Sequence, residues 1–364
     1  MYTAFNKMCD KVSDAILDAF LAIDQNAKVV CNTVIHQDTI LVFGEVVSTA
    51  EVNYSEIIQN TIMRIGYQGF DINNFTVEMN QATPGVVQAL EQGREEDDIG
   101  AEDQGSMFGY ATDETEELMP LTLTLSHKLN AQVADLRRNG GLPWARPYST
   151  AMVTVEYRND NGACLPLRVH TIVISVEHDE QVQLEQFRQD LMEQVIQVVV
   201  PSRYLDDSTI YHLQPVRGFS HQRPQDGVGM TGRQIIVDTY GGWGSHGGGA
   251  FSGNDYTNIH RSAAYAARWI AKSLVHARLC RRVEVQVAYA TGLANPVSIN
   301  ANSFGTSQVS DAELKRIIER NFDLRPGQIV RDLNLRNPIY ERTACYGHFG
   351  KPEYLWEQPR QLTI

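Results

Sequence analysis

The fold is decided by residues 234–275, which run Gln234-Ile235-Ile236-Val237-Asp238, then Gly241-Gly242-Trp243-Gly244-Ser245-His246-Gly247-Gly248-Gly249-Ala250-Phe251-Ser252-Gly253, then Ser262 to Val275. The first run, apolar and β-branched, predicts a strand, and the last has the apolar spacing of a helix. Between them, glycine is too dense for either element, and backbone N–H groups there can approach a ligand or another chain closely. The run matches neither the Walker pattern nor G-x-G-x-x-G. Composition leaves two readings open, a ligand-cradling loop or a loop packed at a subunit contact.

Working outward, the strand–helix theme recurs. A strand is predicted over Arg282 to Tyr289 and a helix over Asp311 to Asn321. Upstream lie a long helix over Met119 to Asn139, stopped by Asn139-Gly140-Gly141, two β-rich runs (Ala151 to Tyr157 and Leu167 to Val176) and a helix over Glu180 to Val198. The first part of the chain predicts a helix over Val12 to Leu21, paired strands over Val29 to Thr33 and Thr39 to Val47, and a helix near Tyr54 to Ile65. Between Gln81 and Gly105, Thr83-Pro84-Gly85 and the acidic run Glu95-Glu96-Asp97-Asp98 read as a connector or an ordered acidic loop. Three successive units of strands and helices predict an α+β protein of three subdomains, 1–98, 99–219 and 220–364, each sheet covered by helices on one side. The uncovered face calls for a partner, and a dimer is the usual solution.

Composition narrows the partners. With 364 residues, 43% hydrophobic and 21% charged, the chain has the makings of a soluble globular protein of two or three domains. Its 31 Lys and Arg against 44 Asp and Glu leave a net charge of −13, which argues against nucleic acid and anionic membrane surfaces. No apolar run reaches the roughly 20 residues of a membrane helix, and Met1 to Lys7 carries no signal pattern. The five cysteines (Cys9, Cys31, Cys164, Cys280, Cys345) are scattered and odd in number, as expected of free thiols in a cytoplasmic protein rather than a disulfide scaffold.

The glycine-rich run, with Gly105-Ser106-Met107-Phe108-Gly109-Tyr110-Ala111-Thr112-Asp113-Glu114-Thr115, Lys7-Met8-Cys9-Asp10-Lys11-Val12-Ser13-Asp14-Ala15, Arg168-Val169-His170-Thr171-Ile172-Val173-Ile174-Ser175 and Phe322-Asp323-Leu324-Arg325-Pro326-Gly327, closely resembles S-adenosylmethionine synthetase (methionine adenosyltransferase), and animal-type members most. The resemblance covers essentially the whole chain. It implies three pseudo-repeated α/β subdomains whose flat sheets pack in a dimer, and sites lying between two subunits. It also implies a reaction in which the methionine sulfur is joined to C5′ of ATP and tripolyphosphate is expelled and hydrolysed, assisted by Mg²⁺ and K⁺. Such a leaving group needs metal ions and Lys/Arg donors where the negative charge accumulates.

Against that requirement the family's cradle is depleted. Its Gly-His-Pro-Asp-Lys reads Thr3-Ala4-Phe5-Asn6-Lys7, so the histidine tied to sulfonium formation is Ala4 and a Mg²⁺ carboxylate is Asn6. Gln-Ser-Pro-Asp-Ile becomes Ala82-Thr83-Pro84-Gly85-Val86, and Gly-Ala-Gly-Asp-Gln-Gly becomes Gly100-Ala101-Glu102-Asp103-Gln104-Gly105. Arg-Pro-Asp-x-Lys becomes Arg146-Pro147-Tyr148-Ser149-Thr150. Gly227 stands at another carboxylate position, and lysines are replaced at Gln234, Asn254 and Asn258. The second metal aspartate is His260, and an adenine-side isoleucine is Thr291. Retained by resemblance are Lys7, Glu45 at the vestigial K⁺ position, Asp103, the adenine-stacking Phe219, Arg233 and Asp238.

The expectation is a catalytically silent paralogue with no bound cofactor and weak or absent binding of ATP and methionine. It would act as a structural, scaffold or regulatory subunit, as a homodimer, with an active synthetase paralogue or in a larger assembly. The alternative is an active methionine adenosyltransferase with an altered site, using ATP, Mg²⁺ and K⁺.

Overall fold

A computed structural model describes residues 4–37, 39–67, 74–82, 98–179, 182–214 and 228–364. Helix α1 (Ala4–Ile23) begins eight residues before the predicted Val12, because the apolar face of Val12, Ile16 and Phe20 extends back through Phe5 and Met8, all buried. Strands β1 (Lys28–His36) and β2 (Thr39–Val47) pair antiparallel. In β1, Val29, Cys31, Thr33 and Ile35 are buried while Val30 and His36 are exposed, the alternation of a sheet covered on one face. Helix α2 (Tyr54–Ile65) is capped by Asn53, whose side chain accepts the Glu56 N–H, and is stopped by Gly66 at φ 101°. Strand β3 (Phe75–Gln81), which pattern reading missed, runs parallel to β2.

Strand β4 (Gly105–Thr112) leads to α3 (Leu121–Asn139), which ends at Gly140 in the left-handed conformation expected of the Asn-Gly-Gly stop. The two β-rich runs lie within longer strands, β5 (Ala145–Asp160) and β6 (Ala163–His178), joined by a tight turn at Asn161 and Gly162, both with positive φ. Of the helix predicted from Glu180, that residue lies outside the described residues. The helix α4 (Leu184–Asp190) starts later and continues through a π turn (Leu191–Ile196) and a last turn (Gln197–Val199). Strands β7 (Ile210–Leu213) and β8 (Val228–Met230) follow.

The strand expected over Gln234 to Asp238 is instead a short helix, α5 (Ile235–Asp238). Its β-branched residues favour a strand, but the Asp238 N–H closes a turn on the Gln234 carbonyl at 2.9 Å and the Asp238 side chain is held by Lys7 of α1. Tertiary pairing overrides local propensity here. Helix α6 (Ile259–His276), strands β9 (Arg282–Tyr289) and β10 (Ser298–Asn302), and helices α7 (Asp311–Asn321) and α8 (Pro326–Asp332) complete the chain.

Among the described residues there are three sheets, ordered β3-β2-β1-β8, β10-β9-β4 and β5-β6-β7. They do not follow successive thirds of the sequence. Strand β8 crosses back to pair with β1, and β4 pairs along its whole length with β9. One large core unites the first and last parts of the chain, and a smaller one, from Leu121 to Leu213, lies between α3, α4 and the β5–β6–β7 sheet. Two buried arginines tie α6 in place. Arg261 pairs bidentately with Asp14 of α1 (2.8 and 3.0 Å), and Arg268 with Glu357 (2.9 and 2.8 Å), which also takes Lys272 at 2.7 Å.

Candidate functional site

The first turn of α1 carries Asn6 and Lys7 toward the segment 230–238. Lys7 Nζ lies 2.7 Å from Asp10 Oδ2, one turn along the same helix, and pairs with Asp238 of α5. All three side chains are almost wholly buried, at 6% exposure or less. Burial works against the Lys7 charge, but Asp10 and Asp238 outweigh it and hold its pKa above the ordinary value. Both acids are pushed up, first by burial, although Lys7 pulls the other way. Asp10 also accepts the Gly232 N–H at 2.8 Å, and the Asn6 side-chain oxygen accepts the Met230 N–H at 3.0 Å. The cluster therefore fastens α1 to the strand and turn that precede the glycine-rich loop.

A second group surrounds the start of α6. Asn258 caps the helix, its side chain accepting the His260 N–H at 3.0 Å, and Asn254 donates to the Ala250 carbonyl at 3.1 Å. His260 Nε2 lies 3.2 Å from Asp103 Oδ2. The Gln104 N–H, and after it His260, lower the pKa of Asp103. The glycine-rich loop wraps this histidine closely. A Cβ on Gly249 would stand 2.5 Å from the His260 ring, and one on Gly247 would meet the Ser106 carbonyl at 1.9 Å, so glycine is required at both positions. Ser106, His246, Gly249 and His260 line a narrow crevice of about 10 Å³ between the loop and β4. Burial, and then the neighbouring His260, lower the pKa of His246.

Glu102, which the resemblance places at a glycine position, is half-buried, with Oε2 3.0 Å from Thr257 Oγ1. The same hydroxyl lies 2.6 Å from Asp255 Oδ1. Burial raises both carboxyl pKa values, and in Glu102 the nearby Asp255 adds to the rise.

The candidate residues thus fall into two groups, one holding Asn6, Lys7 and Asp238 and the other Asp103, Asn254, Asn258 and His260. Ala4 opens α1. Glu45 is exposed on β2, Arg233 is exposed, and Thr150 is half-buried on β5; none of these three side chains makes a hydrogen bond or ion pair among the described residues. Gln234 is half-buried and Thr291 exposed. Phe219, Gly227 and the segment Thr83-Pro84-Gly85-Val86 lie outside the described residues. Sequence reading passed over Asp10 and Asp255 as site residues. The Lys7-x-x-Asp10 spacing, one helical turn apart, was the signal available for the first.

The donor chemistry does not match Mg²⁺, which takes oxygen ligands, usually with carboxylates among them. At Asn6 and His260, the two positions that the resemblance gives to metal carboxylates, stand an amide oxygen already accepting the Met230 N–H and an imidazole. Among the described residues, no three His, Cys, Asp or Glu side chains gather in a way that could hold a metal ion. For K⁺, the one candidate carboxylate, Glu45, is exposed. Also among the described residues, no helix is long and apolar enough to cross a membrane.

Comparison with protein families finds three matches that together span most of the chain. The N-terminal domain of S-adenosylmethionine synthetase matches residues 5–91, the central domain residues 98–219, and the C-terminal domain residues 222–358.

Proposed function

Since the chain belongs to the S-adenosylmethionine synthetase family, we propose that it is a catalytically silent member of that family, working as a structural or regulatory subunit through its sheet faces. The observation that carries this reading is the closed ion cluster of Lys7 with Asp10 and Asp238. The lysine and aspartate retained from the family's site spend their charges on each other. The charge that tripolyphosphate would need is missing elsewhere as well. Thr150, Gln234, Asn254 and Asn258 are neutral, and Asn254 and Asn258 serve local backbone groups. Losing one such donor costs about 3 kcal/mol, or roughly 10²–10³ in rate. The losses are not additive, yet the first two or three suffice to abolish useful turnover. Neither Mg²⁺, K⁺ nor ATP is expected as a resident ligand.

The partner in this reading is a second copy, an active synthetase of the same source, or a larger assembly in the cytoplasm. Exposed apolar side chains on strands support a covered sheet face: Val30 on β1, Met152 on β5, Ile210 on β7 and Val228 on β8, the last 65% exposed. An isologous dimer would bury them. One observation favours the alternative, an active enzyme with an altered site. Arg233 retains an exposed guanidinium with no partner among the described residues.

The deciding experiment is S-adenosylmethionine formation with saturating ATP, methionine, Mg²⁺ and K⁺, by the protein alone and mixed with an active synthetase of the same source. No turnover alone with changed activity in the mixture identifies a regulatory subunit, and no turnover alone with unchanged activity in the mixture identifies a scaffold. Turnover alone near about 1–10³ s⁻¹ overturns the proposal.

A further inference from the structure

Residues 98–104, just ahead of β4, are fastened to the rest of the protein at four points. Asp98 pairs with Arg325 at 2.8 Å. The wholly buried Ala101 gives its N–H to the Leu293 carbonyl at 2.9 Å, and its carbonyl accepts the Gly292 N–H at 2.8 Å. Asp103 meets His260. The fourth point, Glu102, differs in kind, because the Thr257 hydroxyl that holds it stands between two carboxyl groups. Oγ1 lies 3.0 Å from Glu102 Oε2 and 2.6 Å from Asp255 Oδ1.

A hydroxyl carries one hydrogen. Asp255, only 3% exposed, has the closer claim to it and also accepts the Thr257 and Val29 N–H groups, at 2.7 and 2.5 Å. Three donors are the surroundings of an ionised carboxylate. Toward Glu102 the Thr257 oxygen then offers lone pairs, so the Glu102 carboxyl group has to bring its own hydrogen to the bond. Burial, and then the charge of Asp255, raise the Glu102 pKa, while Thr257 and Lys28 of β1 pull the other way. Asp103, on the same segment, adds a smaller push upward and is itself turned to His260. The half-buried Glu102 remains within reach of water for proton exchange.

We propose that Glu102 is a proton-gated latch: as a carboxylic acid donating to Thr257 it holds residues 98–104 against the start of α6, and loss of its proton releases them, freeing Asp103 from His260 in the wall of the crevice beside the glycine-rich loop. The family motif quoted above has glycine at this position, so the device is this chain's own. It goes beyond the reading given above and stands whether or not the protein turns over ATP. The sign is fixed by linkage. The folded protein keeps a proton that an unfolded glutamate loses above about pH 4.3, so the closed segment is favoured at low pH and weakens as pH rises through the folded value.

The test is hydrogen exchange at the Ala101 and Gly292 amides of the full chain from pH 5 to 8, expressed as protection factors so that the intrinsic pH dependence of exchange drops out. Protection in the parent should fall with rising pH, by up to about tenfold per pH unit, the limit for release of one proton. Glu102→Gln, whose side-chain amide can donate to Thr257 at every pH, should keep its protection across the range. Asp103→Asn leaves Glu102 in place and removes the charge opposite His260, so it should retain the parent's pH dependence and separate the latch from histidine titration. Flat protection in the parent, a fall that persists in Glu102→Gln, or one that Asp103→Asn abolishes, overturns the proposal.

Discussion

Replacing Lys7 by Met tests whether the retained family lysine is consumed inside the protein. Met is close to the lysine stem in volume and fills irregular space, so the change leaves little cavity. It removes the cation paired with Asp10 and Asp238, whose side chains are 0% and 6% exposed. Water does not screen a pair buried to this degree, and breaking one by removing a single partner costs about 3–5 kcal/mol. The loss should also depend on pH, with a definite sign. Both acids already have raised pKa values in the folded protein, and without Lys7 they rise further. The folded variant then binds more protons than the unfolded chain above about pH 4, so its stability falls as pH rises, by up to about 1.4 kcal/mol per pH unit for each uncompensated proton. Urea unfolding of parent and variant at pH 6, 7 and 8 measures both effects. With a slope of about 3 kcal/mol per molar urea, the midpoint should drop by about 1 M or more at neutral pH, and the gap should widen toward pH 8. A loss under about 1 kcal/mol that does not change with pH, the size seen for exposed pairs, would refute the reasoning and return Lys7 to the pool of cations available to a ligand.

Other outcomes follow from the same geometry. Asp14→Ala should cost about 3–5 kcal/mol, because the fully buried Asp14 answers Arg261 and the Gly253 N–H; in a denaturation series, adding Arg261→Met should recover part of the loss. Burial raises the thiol pKa values of Cys9, Cys31 and Cys280, the last two to about 12. Burial raises the Cys164 thiol as well, so iodoacetamide at pH 8 should label the native protein first at the partly exposed Cys345, more slowly at the partly exposed Cys164 and not at the other three, as read by mass spectrometry. If a sheet face is the subunit contact, Met152→Glu, at a side chain 58% exposed, should leave monomer stability within about 0.5 kcal/mol while shifting light-scattering mass from dimer toward monomer.

Much of the fold could be read from local pattern. Helices such as α2 and α3 announce themselves by apolar spacing and by Gly66 and Gly140 at their ends. The alternating β9 does so by Val283, Val285 and Val287. Where reading failed, a distant partner had decided the conformation. The β-branched Ile235-Ile236-Val237 folds as a helical turn because Lys7 and the Gln234 carbonyl claim Asp238. Strand β3 is a different case, since Phe75, Val77 and Met79 alternate with the exposed Thr76, Glu78 and Asn80 and the signal was present in the sequence. The site was legible as a set of substitutions, through the resemblance, but not as an arrangement. The Asn258 cap on α6 is local, but that Asn6 holds the Met230 N–H and that Lys7 pairs with Asp238 are contacts across large sequence distances. Composition and spacing carry no information about them.

The return of β8 to β1 also shapes how the protein is made. The edge of β1 at Val34 to His36 is covered by residues 228–230, so during synthesis it waits for roughly 200 further residues, or about 10–40 s at 5–20 residues per second. For that time an open, alternating strand is available to any other extended chain. Pairing over such a separation also slows folding. Nascent chains on one message sit close together, each with β1 unprotected. A chaperone that shields this edge, or an early subunit contact, would therefore improve the yield of folded protein more than any change to the completed core.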